Sequence, residues 1–159
     1  MNNKYHFFWG GPFSNWYPAE IEYKGHKFPT TEHAFMWEKA LTFGDAETAA
    51  KILVAPTPND AKKLGRQVKN FNSESWTAVG FEVMVLVNLA KFTQHQNLNY
   101  LIRKNNNYVE ASPYDKIWGI GMGIEHPDIN DESKWKGQNL LGKALDRVQY
   151  EIKSTANEC

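Results

Sequence analysis

Between Trp76 and Ala90 the sequence reads WTAVGFEVMVLVNLA, and this stretch limits the possible folds more than any other. Trp76, Val79, Gly80, Val83, Val87 and Ala90 recur at helical spacing, while Phe81, Val85 and Leu89 fill another side. A helix this apolar needs other elements packed around it, with Asn72 or Ser73 as its cap. The chain has 159 residues, a length that suits one domain built about such a helix. The longest uncharged apolar run, Val83 to Ala90 with Asn88 inside it, falls far short of the ~20 residues of a membrane span. No membrane association is expected, and the opening residues lack a signal-peptide core.

The flanking sequence is punctuated clearly. Tyr5 to Trp9 and Ile21 to Tyr23 read as short strands around Gly10-Gly11-Pro12. A helix capped by Thr30 or Thr31 is predicted to run to about Phe43 and stop at Gly44. A second opens at Asp45, and a third opens at Thr57-Pro58 and ends near Gly65-Arg66. Leu98 to Ile102 continues as helix, Tyr108 to Ala111 is a strand, and Leu141, Leu145 and Val148 mark one side of a last helix. Met122 to Lys134 is acidic, carries a proline and lacks periodicity, so it reads as an excursion from the core. The domain is expected to span residues 1–152, followed by a polar tail, 153–159.

Several functions are excluded early. Lys and Arg total 18 against 18 Asp and Glu, so the chain has no broad basic footprint for nucleic acid or anionic lipid. The five histidines form no i,i+4 pair, and Cys159 is the only cysteine, which argues against a metal site and for a reducing, cytoplasmic setting. Gly119-Ile120-Gly121-Met122-Gly123 lacks the spacing of a phosphate loop, so no cofactor is expected.

Carboxylates, lysines and aromatics remain. Glu32 and Lys39 are seven residues apart on the predicted helix, within about 20° of one face and about 10.5 Å along the axis. That spacing suits two groups converging on a ligand, and it equally suits a solvated charged face. His33, Trp37 and Ala40 lie about 100° round and are expected to pack inward. Phe13-Ser14-Asn15-Trp16-Tyr17-Pro18 sets aromatic plates beside short polar groups, as a pocket wall does, though a loop packed by its aromatics has the same composition.

These segments, read in order, carry a resemblance. Phe13 to Pro18, Pro29-Thr30-Thr31-Glu32-His33-Ala34-Phe35 with Lys39-Ala40, Ala61 to Arg66, Trp76, Lys91-Phe92, Val109-Glu110, Asp115, Trp118-Gly119-Ile120-Gly121 and Gly137 to Gly142 resemble the NADAR, or YbiA-like, family over roughly residues 7 to 148. The resemblance implies a predominantly helical α/β domain of the α+β type that hydrolyses N-glycosidic bonds of nucleotide-like compounds. Two substrate classes follow from it: ADP-ribose on guanine bases, including modified DNA, and phosphorylated intermediates of riboflavin synthesis.

In that chemistry a carboxylate can oppose the positive charge that develops on the ribose or activate water, a role for Glu32, or a lysine of depressed pKa can instead attack C1 of the opened sugar, a role for Lys39. Asp115 is a third catalytic candidate, with a turn cap as its structural alternative. Phe13, Trp76 and Trp118 are candidates to stack on a base, and Arg66 to hold a phosphate. Ser14, Asn15, His33, Gly119 and Asn139 complete the expected contacts, with packing roles as the alternative for His33 and the aromatics. Met36-Trp37 stands where the family often has Gln-Ala, and the Met122 to Lys134 segment is long enough to serve as a lid. A non-catalytic module that binds ADP-ribose or a nucleotide is the rival from another class. No obligate protein partner is evident.

Overall fold

The structure, a computed structural model, describes residues 4–156. Cys159 lies outside them. In chain order the elements are β1 (His6–Phe8), β2 (Ile21–Tyr23), β3 (His26–Phe28), α1 (Thr31–Thr42), α2 (Ala46–Leu53), α3 (Pro58–Gly65), α4 (Ser73–Gln94), α5 (Gln96–Ile102), β4 (Tyr108–Glu110) and α6 (Leu140–Ala156). The fold is α+β and predominantly helical, as expected. Contacts within the chain gather these elements into two units, one of residues 15–95 and one of residues 4–14 with 96–156.

In the first unit, each helix begins where a short polar side chain covers an open backbone amide. Thr30 accepts from the His33 amide, Asp45 from Thr48, Thr57 from Asp60 and Asn72 from Ser75. These caps settle the two choices left by the sequence in favour of Thr30 and Asn72. Helix α1 packs against α2, α3, α4 and β3, and α4 packs on β2. The long helix buries Trp76, Gly80, Met84, Val85, Val87, Asn88, Lys91 and Phe92, whereas Val79 and Leu86 are exposed. Burial is therefore a stripe rather than complete. Length and composition alone would also suit a membrane span, but the buried polar residues and the packing on α1 and β2 make α4 a core helix.

Strand β3 was not among the expected elements. It pairs antiparallel with β2 through a turn in which both Lys24 and Gly25 have positive φ, 48° and 83°. This is the primed turn that matches strand twist, and a lysine in its first position hides it from the usual Asn-Gly or Asp-Gly signal.

In the second unit, β1 pairs parallel with β4 in the register His6 to Tyr108, and α6 packs on β4. Val109, Ala111, Ile120, Met122 and Ile129 form a buried cluster covered by Tyr5, Phe7 and Trp135. Two expectations are corrected here. The Met122 to Lys134 segment is pinned by Met122 and Ile129 in that cluster, and the Trp135 indole donates to the Ile129 carbonyl at 2.7 Å, so it packs on the core instead of forming a free lid. The tail also starts later than expected, because α6 continues through Ala156.

Candidate active site

Helix α1 carries the centre of the site, and the loop before β2 holds its first turn. The Asn15 carbonyl accepts from the Glu32 amide at 3.1 Å and from the Thr31 hydroxyl at 3.3 Å. Its side-chain oxygen accepts from Thr31 at 2.7 Å and from Asn88 at 3.3 Å, and its amide nitrogen reaches the Met84 sulfur at 3.3 Å. Asn15 is therefore a brace between the expected pocket wall and the helix that bears Glu32. Buried polar groups held in this way are positioned tightly, because losing any partner exposes an unmet donor or acceptor to a dry interior.

His33 is fully buried and has no nitrogen left for a ligand. Nε2 lies 3.0 Å from the Ala55 carbonyl, which can only accept, so Nε2 carries the proton and Nδ1 accepts from the Thr30 hydroxyl at 2.7 Å. Burial lowers its pKa, against the smaller opposing effects of the Ala55 bond and the Asp60 charge. In place of the expected substrate contact, His33 locks the α1 cap to the end of α2.

Glu32 is buried, and Lys39 is half-buried two turns further along the same face. The Lys39 ammonium sits over the Phe71 ring, 4.4 Å from its centroid. Burial lowers its pKa, the Glu32 carboxylate pulls it back up, and the Arg66 guanidinium pushes it down. Glu32 and Arg66, both candidates from the sequence, thus lie within electrostatic reach of Lys39. Arg66 gets there as the residue that ends α3, its amide bonded to the Lys62 and Lys63 carbonyls. A Cβ at Gly65 would run into the Met36 sulfur, so this glycine lets α3 approach α1 closely. Trp76 is buried against Phe35, with ring centroids 5.1 Å apart, and against Phe43 at 6.3 Å. It packs against these rings, which is the packing alternative to base stacking.

The other expected residues belong to the second unit. Phe13 is buried among Tyr108, His6 and Phe8, at 4.7, 5.2 and 5.7 Å between centroids, and is a core residue. Ser14 is half-buried, with its amide bonded to the Gly11 carbonyl. One Asp115 oxygen accepts from the amides of Ile117 and Trp118 at 2.9 and 2.8 Å, which is the turn-capping role. Trp118 is half-buried in that turn. Gly119 leaves no room for a side chain: a Cβ would stand 2.9 Å from the Asp115 carbonyl and 3.0 Å from that of Glu110. Asn139 is corrected from ligand contact to clasp, since its side-chain oxygen accepts from the Glu110 amide and its nitrogen donates to the Tyr108 carbonyl, both at 3.0 Å. Gly142 lies beneath it, where a Cβ would strike that same carbonyl and the Asn139 amide.

Four residues, Trp16, Lys62, Phe71 and Lys91, carry no individual role in the expectations from sequence. Trp16 is 42% exposed, with the Lys62 ammonium 5.8 Å from its ring centroid, and Phe71 is 45% exposed below Lys39. The i,i+4 spacing of Lys62 and Arg66 was the available signal for this group. Lys91 is fully buried, with its ammonium 5.5 Å from the Tyr17 ring centroid and 5.0 Å from that of Phe92. Desolvation brings its pKa down to about 7. Among the described residues, no cluster of His, Cys, Asp and Glu is suited to a metal ion.

The family model for the NADAR domain matches residues 7–153. The chain belongs to the NADAR domain family. It is 38% identical over 164 residues to N-glycosidase R617 of Acanthamoeba polyphaga mimivirus, covering 94% of this chain and 96% of that one. It is 29% identical to riboflavin biosynthesis protein VVA0006 of Vibrio vulnificus, across 92% of this chain and 36% of the relative. The NMR structure of the E. coli protein YbiA superposes with a TM-score of 0.81 at 27% identity, covering 100% of this NADAR chain and 90% of that structure.

Proposed function

We propose that this NADAR chain is an N-glycosidase, and that it releases ADP-ribose from guanine through Glu32 and Lys39. The observation that carries the reading is the lysine: burial and the Arg66 charge both ease loss of its proton, while the Glu32 carboxylate stands within electrostatic reach. A lysine that only bound an anion would gain nothing from a lowered pKa, whereas a nucleophile must be neutral. Breaking the C1′–N bond sends the electron pair to the base, which takes up a proton. Glu32 opposes the charge left on the ribose. The Lys39 amine takes up that charge by bonding to C1′ as the base leaves, its spare proton passing to the base; the ring oxygen then leaves C1′ and is protonated as the imine forms, and water hydrolyses the imine to return the amine and the free sugar.

The mimivirus relative named an N-glycosidase supports the reaction class. A phosphorylated intermediate of riboflavin synthesis is the second reading, favoured by the relative named for that pathway. Both are tested by incubating the protein, without added metal, with guanine-ADP-ribosylated DNA and separately with the phosphorylated intermediate, each with and without borohydride. Released base, together with a Lys39-linked reduced adduct, is the expected result with the DNA. Base release from the intermediate alone transfers the assignment to the second reading. Tight binding with no release from either substrate would leave a nucleotide-binding module. Glu32→Gln is expected to retain ligand and to lose turnover by at least about 100-fold.

A further inference from the structure

A polar cleft of about 420 Å3 lies between Lys4, Tyr5 and His6 on one side and residues 104–107 on the other. That volume is within the range of small-molecule pockets. All of these residues belong to the second unit, whereas Glu32, Lys39 and Arg66 belong to the first. The two sides are fastened to each other. The His6 amide donates to the Asn107 carbonyl at 3.0 Å, and the Asn107 side-chain nitrogen donates to the Lys4 carbonyl at 2.9 Å. On the second side, Gln149 donates to the carbonyls of Ile102 and Asn105, and the Tyr108 hydroxyl donates to that of Ile102.

With those carbonyls engaged, the cleft presents mainly donors. Lys4 and Lys104 both line it, no carboxylate does, and among the described residues neither ammonium makes an ion pair. Each lies over a tyrosine ring, Lys4 over Tyr5 at 5.3 Å and Lys104 over Tyr100 at 4.2 Å, contacts that steady an ammonium without cancelling its charge. Burial lowers the pKa of His6, so at neutral pH its ring adds no charge. Asn107 has a positive φ, 54°, which accounts for an asparagine there. Asn105 and Asn106 meet no such backbone demand. Each of their amides offers an acceptor beside a pair of donors, a pattern that pairs with sugar hydroxyls.

We propose that this cleft is a second ligand site for a small phosphorylated polyol, with Lys4 and Lys104 taking the phosphoryl group and Asn105 and Asn106 the hydroxyls. Two ammoniums match a phosphomonoester, which carries close to two negative charges at neutral pH, better than they match a single carboxylate. Binding here needs neither Glu32 nor Lys39, so the site does not depend on the reaction proposed for them.

The test is titration of the intact, isotope-labelled chain with ribose 5-phosphate, ribose, ribonate and inorganic phosphate, followed through the NMR signals of residues 104–107 and of the Asn105 and Asn106 side-chain amides. Ribose 5-phosphate is expected to move these signals saturably, and the other three to bind at least about tenfold more weakly. Lys104→Met should weaken ribose 5-phosphate by about tenfold, with most of the affinity kept in Lys104→Arg. Asn106→Ala should weaken ribose 5-phosphate and leave inorganic phosphate unchanged. Signals that stay still with ribose 5-phosphate, or an affinity that Lys104→Met leaves intact, overturn the site. Inorganic phosphate or ribonate binding as tightly as ribose 5-phosphate overturns it too, leaving a patch that attracts any anion. The signals of α1 report on Glu32 and Lys39 separately. A response there with none at residues 104–107 removes the cleft and leaves the glycosidase reading untouched.

Discussion

A lysine proton is held less firmly beside a guanidinium than beside a carboxylate, and Lys39 has both neighbours. If the neutral amine reacts, turnover at saturating substrate rises with pH through the lowered pKa of Lys39. Arg66→Met removes the neighbouring cation, so the rising limb of a kcat profile should move to higher pH. A limb that stays in place would assign the titration to another group. Lys91 is a sharper case, because its proton affinity falls from 10.5 to about 7 on folding. Between those values the unfolded chain binds more protons than the native one, so this lysine makes stability increase with pH. Any stability advantage of Lys91→Met should therefore be largest near pH 6 and shrink towards pH 10, as read from midpoints of urea unfolding. Helical phase placed Glu32 and Lys39 on one face without any knowledge of the fold. His33 and Asn139 were harder to read, since their partners Ala55, Tyr108 and Glu110 are tertiary neighbours of segments far along the chain.

Capping chemistry was legible at the level of elements because it is local. Thr30, Asp45, Thr57 and Asn72 each act on an amide three residues away. Thr30 also holds the His33 ring, so Thr30→Val removes a cap and leaves a buried nitrogen without a donor. The expected loss is about 2 kcal/mol in denaturant unfolding, against about 1 kcal/mol for a simple cap. Close packing between elements left only ambiguous glycines in the sequence. At Gly142 an added methyl meets the Tyr108 backbone and the Asn139 clasp, whereas at Gly65 it meets the end of the flexible Met36 side chain. Gly142→Ala should therefore cost about 3 kcal/mol or more, and Gly65→Ala clearly less, because a thioether can swing aside and a strand carbonyl cannot. Equal losses in a thermal or urea comparison would contradict these packing assignments. The Lys24-Gly25 hairpin escaped the sequence reading for a related reason: its turn geometry is regular but its first residue is not one that announces it.

Across the whole molecule, acid sensitivity has a visible source in Asp45. Hydrogen bonds from the Lys69 amide and from the hydroxyl and amide of Thr48 hold its carboxyl down to about 2. A depressed pKa adds stability above the unfolded value, and that stability is lost as pH falls through the folded one. The melting temperature of Asp45→Asn should therefore fall less between pH 5 and 2 than that of the unaltered protein, an order that melting curves would show directly. Which segments belong to the second unit was illegible in sequence because it depends on one distant pairing. Strand β1 finds its parallel partner only at β4, about 100 residues later, while residues 15–95 gather among themselves. On a ribosome this sets a timetable. The stretch that bears Glu32, Lys39 and Arg66 is synthesised with all its own contacts available, whereas the first strand waits, unmatched, until β4 emerges. Pulse-labelled hydrogen exchange during refolding should show amides of α2 and α3 protected before those of His6 to Phe8.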